Sequence, residues 1–228
     1  MTSPETEQSQ NRYARLAGFM FLFVIVADLL GMFITARFDV PGDFTETIHR
    51  NIAGESLYRI GLSCGLLGSL CTILLAMGLY VTIKPIDNNI ALLALLFRLA
   101  EAAIGGVQNL FSFVVLNMYI GGDRTSALSA RQLSGFVSST GFNIGAIFFS
   151  IGSILFFYLF LKSNYIPKIL SGFGLFASAL VTIVSFAALI LPQHAKALQL
   201  GWLPIALAEV SVGLWLLFKG VNAAPRGN

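Results

Sequence analysis

The stretch Leu95–Gly106, LLFRLAEAAIGG, decides the fold. It sets Arg98 and Glu101 inside an apolar run that extends from about Ile90 to Tyr119. A membrane-spanning helix needs only ~20 predominantly apolar residues, so this run reads as one span. Opposite charges one turn apart in such a helix are costly, and ionisable groups at that depth mark a functional site by default. By the three-and-four spacing, positions 98, 101, 105, 108 and 112 share one face. They are Arg98, Glu101, Gly105, Gln108 and Ser112, with Asn109 beside them, while the other faces carry Leu, Phe and Val. A stripe of polar and small residues must face protein or water rather than lipid.

Magnitudes sharpen the reading. Ile90 to Tyr119 contains fifteen Leu, Ile, Phe and Val residues. At about −0.3 to −0.6 kcal/mol each they favour insertion by roughly 4.5 to 9 kcal/mol, and two charges oppose it by roughly 5 to 7 kcal/mol. The helix is marginal alone, so neighbouring helices are expected to satisfy Arg98 and Glu101.

Composition agrees. Of 228 residues, 56% are hydrophobic and only 11% charged, against about 25% charged in an average soluble domain. Mean hydropathy is +0.80 and the pI about 9.0. The basic residues sit mostly at segment ends, where they anchor headgroups and set topology, so lipid and not nucleic acid is the expected partner. Only His49 and His194 are available, with no zinc-type spacing, so neither metal nor cofactor is expected. Cys64 and Cys71 lie two turns apart on one helix, ~10.5 Å, too far for a bridge.

Six apolar segments stand out, at about 14–35, 57–83, 90–119, 136–161, 168–191 and 202–220. The expected fold is an all-α polytopic bundle of six transmembrane helices, a single domain over 14–221. A polar, mobile N-terminus (1–13) precedes it and a polar tail (222–228) follows. Pro41, Pro85, Pro167 and Pro192 fall in connections, and Pro204 in a first helical turn, where proline is tolerated. The six tyrosines and Trp202 lie near segment ends, as an aromatic belt. Loops are short at Lys84–Asn89 and Lys162–Pro167, and long at Ala36–Ser56, Ile120–Gly135 and Pro192–Gly201. Thr45–Ala53 is expected to form a short surface helix over the bundle. Gly61, Gly65 and Gly68 share one helix face, and Gly141 and Gly145 another. Such faces allow close helix approach and are compatible with a homo-oligomer.

Six spans put both termini on one side. That side carries seven Lys and Arg and the opposite side six, a slight excess that favours cytoplasmic termini. In that orientation Asp28, Arg59, Gln108, Asn109, Asn143 and Glu209 share the outer half of the bilayer. Arg98 lies towards the inside and Glu101 near the middle. The shared depth implies a polar cavity open towards the longer, outer loops, with Arg98 and Glu101 as its floor. Asp28, Glu101 and Glu209 are three acids set against Arg98 and Arg59. Glu209 has no basic residue within a turn of it. Bland readings stand beside these. Arg98–Glu101 reads equally as a clamp between helices, Glu55–Arg59 as an interfacial pair, and Asp28 and Glu209 as acids reaching headgroups. The twenty phenylalanines read as lipid-facing or packing residues.

LYRIGLS at Leu57–Ser63, GLYVTIKPIDNNIALLALLFRLAEAAI at Gly78–Ile104, GSILFFYLFLKSNYIPKILSGFG at Gly152–Gly174 and AEVSVGLWLLFKGV at Ala208–Val221 carry a resemblance. Together they resemble the domain-of-unknown-function 4386 family of bacterial multi-pass membrane proteins. The resemblance implies an integral membrane protein of about this length and transfers no catalytic residue. The leading expectation is a non-enzymatic protein of the cell inner membrane that binds or moves a small polar or amphipathic molecule. One alternative is an intramembrane enzyme on a lipid-like substrate, with Glu101 or Glu209 as acid or base. Another is a structural or regulatory partner of a second membrane protein.

Overall fold

Among the residues described by this computed structural model, 4–121 and 124–221, every regular element is a helix. They are α1 (Pro4–Ala36), α2 (Phe44–Ala53), α3 (Glu55–Ile83), α4 (Asn88–Gly121), α5 (Arg124–Ser163) and α6 (Lys168–Ile190). A run of short 3₁₀ turns around α7 (Ala195–Leu198) then leads to α8 (Leu203–Phe218). Six of these helices are long and apolar enough to cross a membrane: α1, α3, α4, α5, α6 and the Gln199–Phe218 segment.

Helix extends beyond the apolar segments in two places. The N-terminus is helical from Pro4, where a mobile segment through residue 13 is expected from polarity; residues 1–3 and the tail 222–228 lie outside the described ones. Residues 4–13 are polar, but half of them (Glu5, Glu7, Gln8, Gln10 and Arg12) are good helix formers and none is glycine. They are also tied down: Gln10 Nε2 donates to the Thr82 carbonyl, and Asn11 Oδ1 accepts the Val221 N–H at 3.0 Å. Likewise α5 begins at Arg124, not near residue 136, so most of the expected long loop before it is helix. The cause is a tertiary seam. Ala127 and Ala130, one turn apart, bury themselves with Val115 and Tyr119 of α4 and pack against Phe44 and Ile48 of α2. Polar helices outside the bilayer leave no hydropathy signal, so segment ends mark the membrane and not the helix.

The expected surface helix is α2. Its start is set by Asp43, whose Oδ1 accepts the Glu46 N–H at 2.9 Å, a side-chain cap for an otherwise unpaired donor. Glu46 and Arg50 pair at 2.7 Å along its exposed face.

The long helices pack in a closed ring, in the order α1, α3, α4, α5, α6, α8 and back to α1. One end of the ring holds both termini; the other holds α2. The terminal half is solid, filled by Leu79, Ile83, Phe156, Leu159, Phe160, Ile166 and Leu216 among others. α1 and α8 cross at Gly18 and Gly213. A Cβ on Gly18 would strike the Leu217 backbone and lie 2.7 Å from the Gly213 carbonyl oxygen. Only bare backbone fits there. Some core hydroxyls are satisfied within their own helices: Thr82 Oγ1 donates to the Gly78 carbonyl at 2.7 Å and Ser178 Oγ to Gly174 at 2.7 Å.

Candidate functional site

The α2 half of the ring is hollow. A cavity of about 560 Å³ is lined by α1, α3, α4, α5 and the start of α8. The volume falls in the range of small-molecule sites. The α4 stripe forms one wall as its spacing requires: Arg98, Glu101, Gly105, Gln108, Asn109 and Ser112 all line it. Asp28 enters from α1 and Glu209 from α8.

Arg98 lies deepest. It is 3% exposed. Its Nη1 is 3.1 Å from Glu101 Oε2, and its guanidinium carbon stands 4.7 Å from the centre of the Phe149 ring. Its aliphatic stem lies on α5 at Gly152, where a Cβ would come within 3.1 Å of Cγ. The contact with Glu101 joins charges without an aligned hydrogen bond, and Arg98 Nε and Nη1 and Glu101 Oε2 are buried with no hydrogen-bond partner. Asp28 reaches the cavity because α3 offers it glycine. A Cβ on Gly68 would collide with the Asp28 carboxylate. Arg98 interacts electrostatically with all three carboxyl groups, those of Asp28, Glu101 and Glu209.

Higher in the cavity, Gln108 ties α4 to α5 and Asn109 bonds within α4. Gln108 Nε2 donates to the Ser138 carbonyl of α5 at 3.3 Å. Asn109 Nδ2 donates to Gly105 at 3.0 Å, and its Oδ1 lies 3.3 Å from where a Gly65 Cβ would stand.

Two of the eight residues singled out in the sequence lie outside the cavity lining. Arg59 sits at the α2 end, where Nε pairs with Glu55 Oε1 at 2.7 Å and Nη2 donates to Asn117 Oδ1 at 2.9 Å. It ties α3 to α4. Asn143 turns its amide back along α5, donating to the Ser139 carbonyl at 2.9 Å.

The adjoining wall is aromatic. Trp202 stands 5.0 Å from Phe142 and 6.1 Å from Phe149, ring centre to ring centre. The row Phe142, Trp202, Phe149 ends on Arg98. Read as a belt residue, Trp202 is instead a cavity residue, as are three of the phenylalanines read as lipid-facing or packing, Phe21, Phe142 and Phe149. The signal was present in α5. Ser138, Phe142, Gly145, Ala146 and Phe149 follow helical spacing, with small residues between the two aromatics.

Among known proteins, an uncharacterized protein of Archaeoglobus fulgidus is 30% identical over 148 residues, which is 64% of this chain and 74% of the relative. No solved structure matches. A family model, Domain of unknown function (DUF4386), matches residues 16–220 and so takes in most of α1, the other five apolar helices and every cavity residue. The chain belongs to the DUF4386 family.

Proposed function

We propose that this is a non-enzymatic protein of the cell inner membrane, with cytoplasmic termini, that binds or moves a small polar or amphipathic molecule in its cavity. The observation that carries the reading is the contrast between the two halves of the ring: solid at the termini, hollow at α2, with charges at the floor of the hollow. A bundle that needed Arg98 and Glu101 only as a clamp would close around them. Here the space beside them is kept. Polar floor and aromatic wall together suit a ligand with a polar head and an apolar body.

The test is accessibility. In a chain with Cys64 and Cys71 replaced, single cysteines at Ser69 and Ser112 are expected to react with a membrane-impermeant thiol reagent added outside intact cells. A cysteine at Leu79, in the solid half, is expected to stay unreactive. Unreactive Ser69→Cys and Ser112→Cys would sink the cavity. Reaction only in inverted vesicles would keep the cavity and reverse the orientation.

A further inference from the structure

Resting on that cavity reading, we infer that the ligand is an organic cation: a positively charged head carried on an apolar, preferably aromatic-sized body. The argument is which charges an occupant can touch. Arg98 is sealed between α4 and α5, with the Phe149 ring over its guanidinium and Glu101 in front of it. The carboxyl groups lie on the cavity surface. Asp28 is exposed, Glu209 is half-buried, and the Glu101 side chain keeps 22% of its surface. The accessible face of the floor is acidic, although a cation lies behind it.

The acids also outnumber the base. Arg98 is the only Lys or Arg among the cavity residues, against Asp28, Glu101 and Glu209. Charges withdrawn from bulk water need partners. The chain supplies one guanidinium, so the remaining carboxyl groups are compensated by protons or by a cation that enters and displaces them. Phe142, Trp202 and Phe149 form the adjoining wall. Aromatic faces attract cations and cover apolar surface at once. Carboxylates beside ring faces are what a lipophilic ammonium or phosphonium needs.

A second, independent sign is that the site does not satisfy itself. Arg98 Nε and Nη1, on a side chain 4% exposed, have no hydrogen-bond acceptor, and neither does Glu101 Oε2 have a donor. Buried groups of this kind are normally paired. Water carried in with the occupant supplies Arg98 its missing acceptor and leaves the open face of Glu101 to the cation.

The probe pair is tetraphenylphosphonium and tetraphenylborate, which share a shape and differ in sign. With the full chain in nanodiscs, tetraphenylphosphonium is expected to raise the melting temperature in a saturable way, and tetraphenylborate is not. Glu209→Gln is expected to weaken the apparent affinity for the cation at least about tenfold, as loss of one charged partner does. Should that variant not fold, Asp28→Asn gives the same readout. Stabilisation by the borate as strong as by the phosphonium overturns the inference. So does a variant that binds the cation as well as the unsubstituted chain. If Ser69→Cys is labelled but the cation gives no shift, the sign of the ligand is wrong and the cavity stands. If labelling also fails, both fall.

Discussion

Arg98→Met is expected to cause the largest loss of stability of any single substitution at the site, about 3–5 kcal/mol, the range for stripping a buried ion of its partner. It leaves Glu101 beside Asp28 and Glu209 with no cation in the cavity. It also removes a guanidinium from the Phe149 ring face. Adding Glu101→Leu is expected to restore most of the loss, because an apolar pair can replace a buried ion pair at little cost. Melting in nanodiscs checks both. If Arg98→Met alone melts like the unsubstituted chain, Arg98 does not hold the floor together. If the double variant is no better than the single, Glu101 is not its main partner. The double variant keeps Asp28 and Glu209 in the cavity and is further expected to retain cation stabilisation, weakened by the loss of Glu101 and not abolished.

The second large effect lies at the helix crossing. Gly18→Val is expected to cost more than the roughly 1–3 kcal/mol of ordinary overpacking, because the new atoms meet the α8 backbone and not a side chain that can turn away. The helices must part, and Glu209 moves with α8. Gly106→Ala is the control. Nothing lies within 4 Å of its added Cβ, so it is expected to be neutral or to stabilise the helix by up to about 1 kcal/mol. Yield of folded protein and melting temperature report both. Equal behaviour of the two variants would mean that the α1–α8 contact is not tight.

The sequence made the membrane helices legible because one property, transfer to lipid, sets each of them. It made the α4 stripe legible for the same reason. Arg98, Glu101, Gln108 and Ser112 cannot face lipid, so their common face has one place to go. What it hid depends on the partner helix. Whether Asn143 or Phe142 turns inward depends on the rotation of α5 about its axis, and α4 and α6 fix that rotation. Polarity favoured Asn143; packing placed Phe142 in the wall. An asparagine amide bonded to its own helix at Ser139 needs no cavity. Arg59 misled in a similar way, since Glu55 and Asn117 satisfy it at the α2 end. The extra turns of α1 and α5 escaped because they leave the bilayer and owe their order to seams no hydropathy window samples.

The solid half of the ring has an electrical consequence. Between the floor at Arg98 and the terminal face lie Leu79, Ile83, Phe160, Ile166 and Leu216, each at most 2% exposed. Tight apolar packing admits neither water nor ions, so no file of water joins the two faces of the membrane. The molecule is a cup and not a pipe. In a planar bilayer it is expected to show no unitary currents at any voltage, whatever fills the hollow. If the cavity takes a solute as proposed, one taken from the α2 side returns to that side unless this core is rebuilt. Any net movement is therefore limited by the rate of repacking and not by diffusion, and it would be slow, saturable and steeply dependent on temperature.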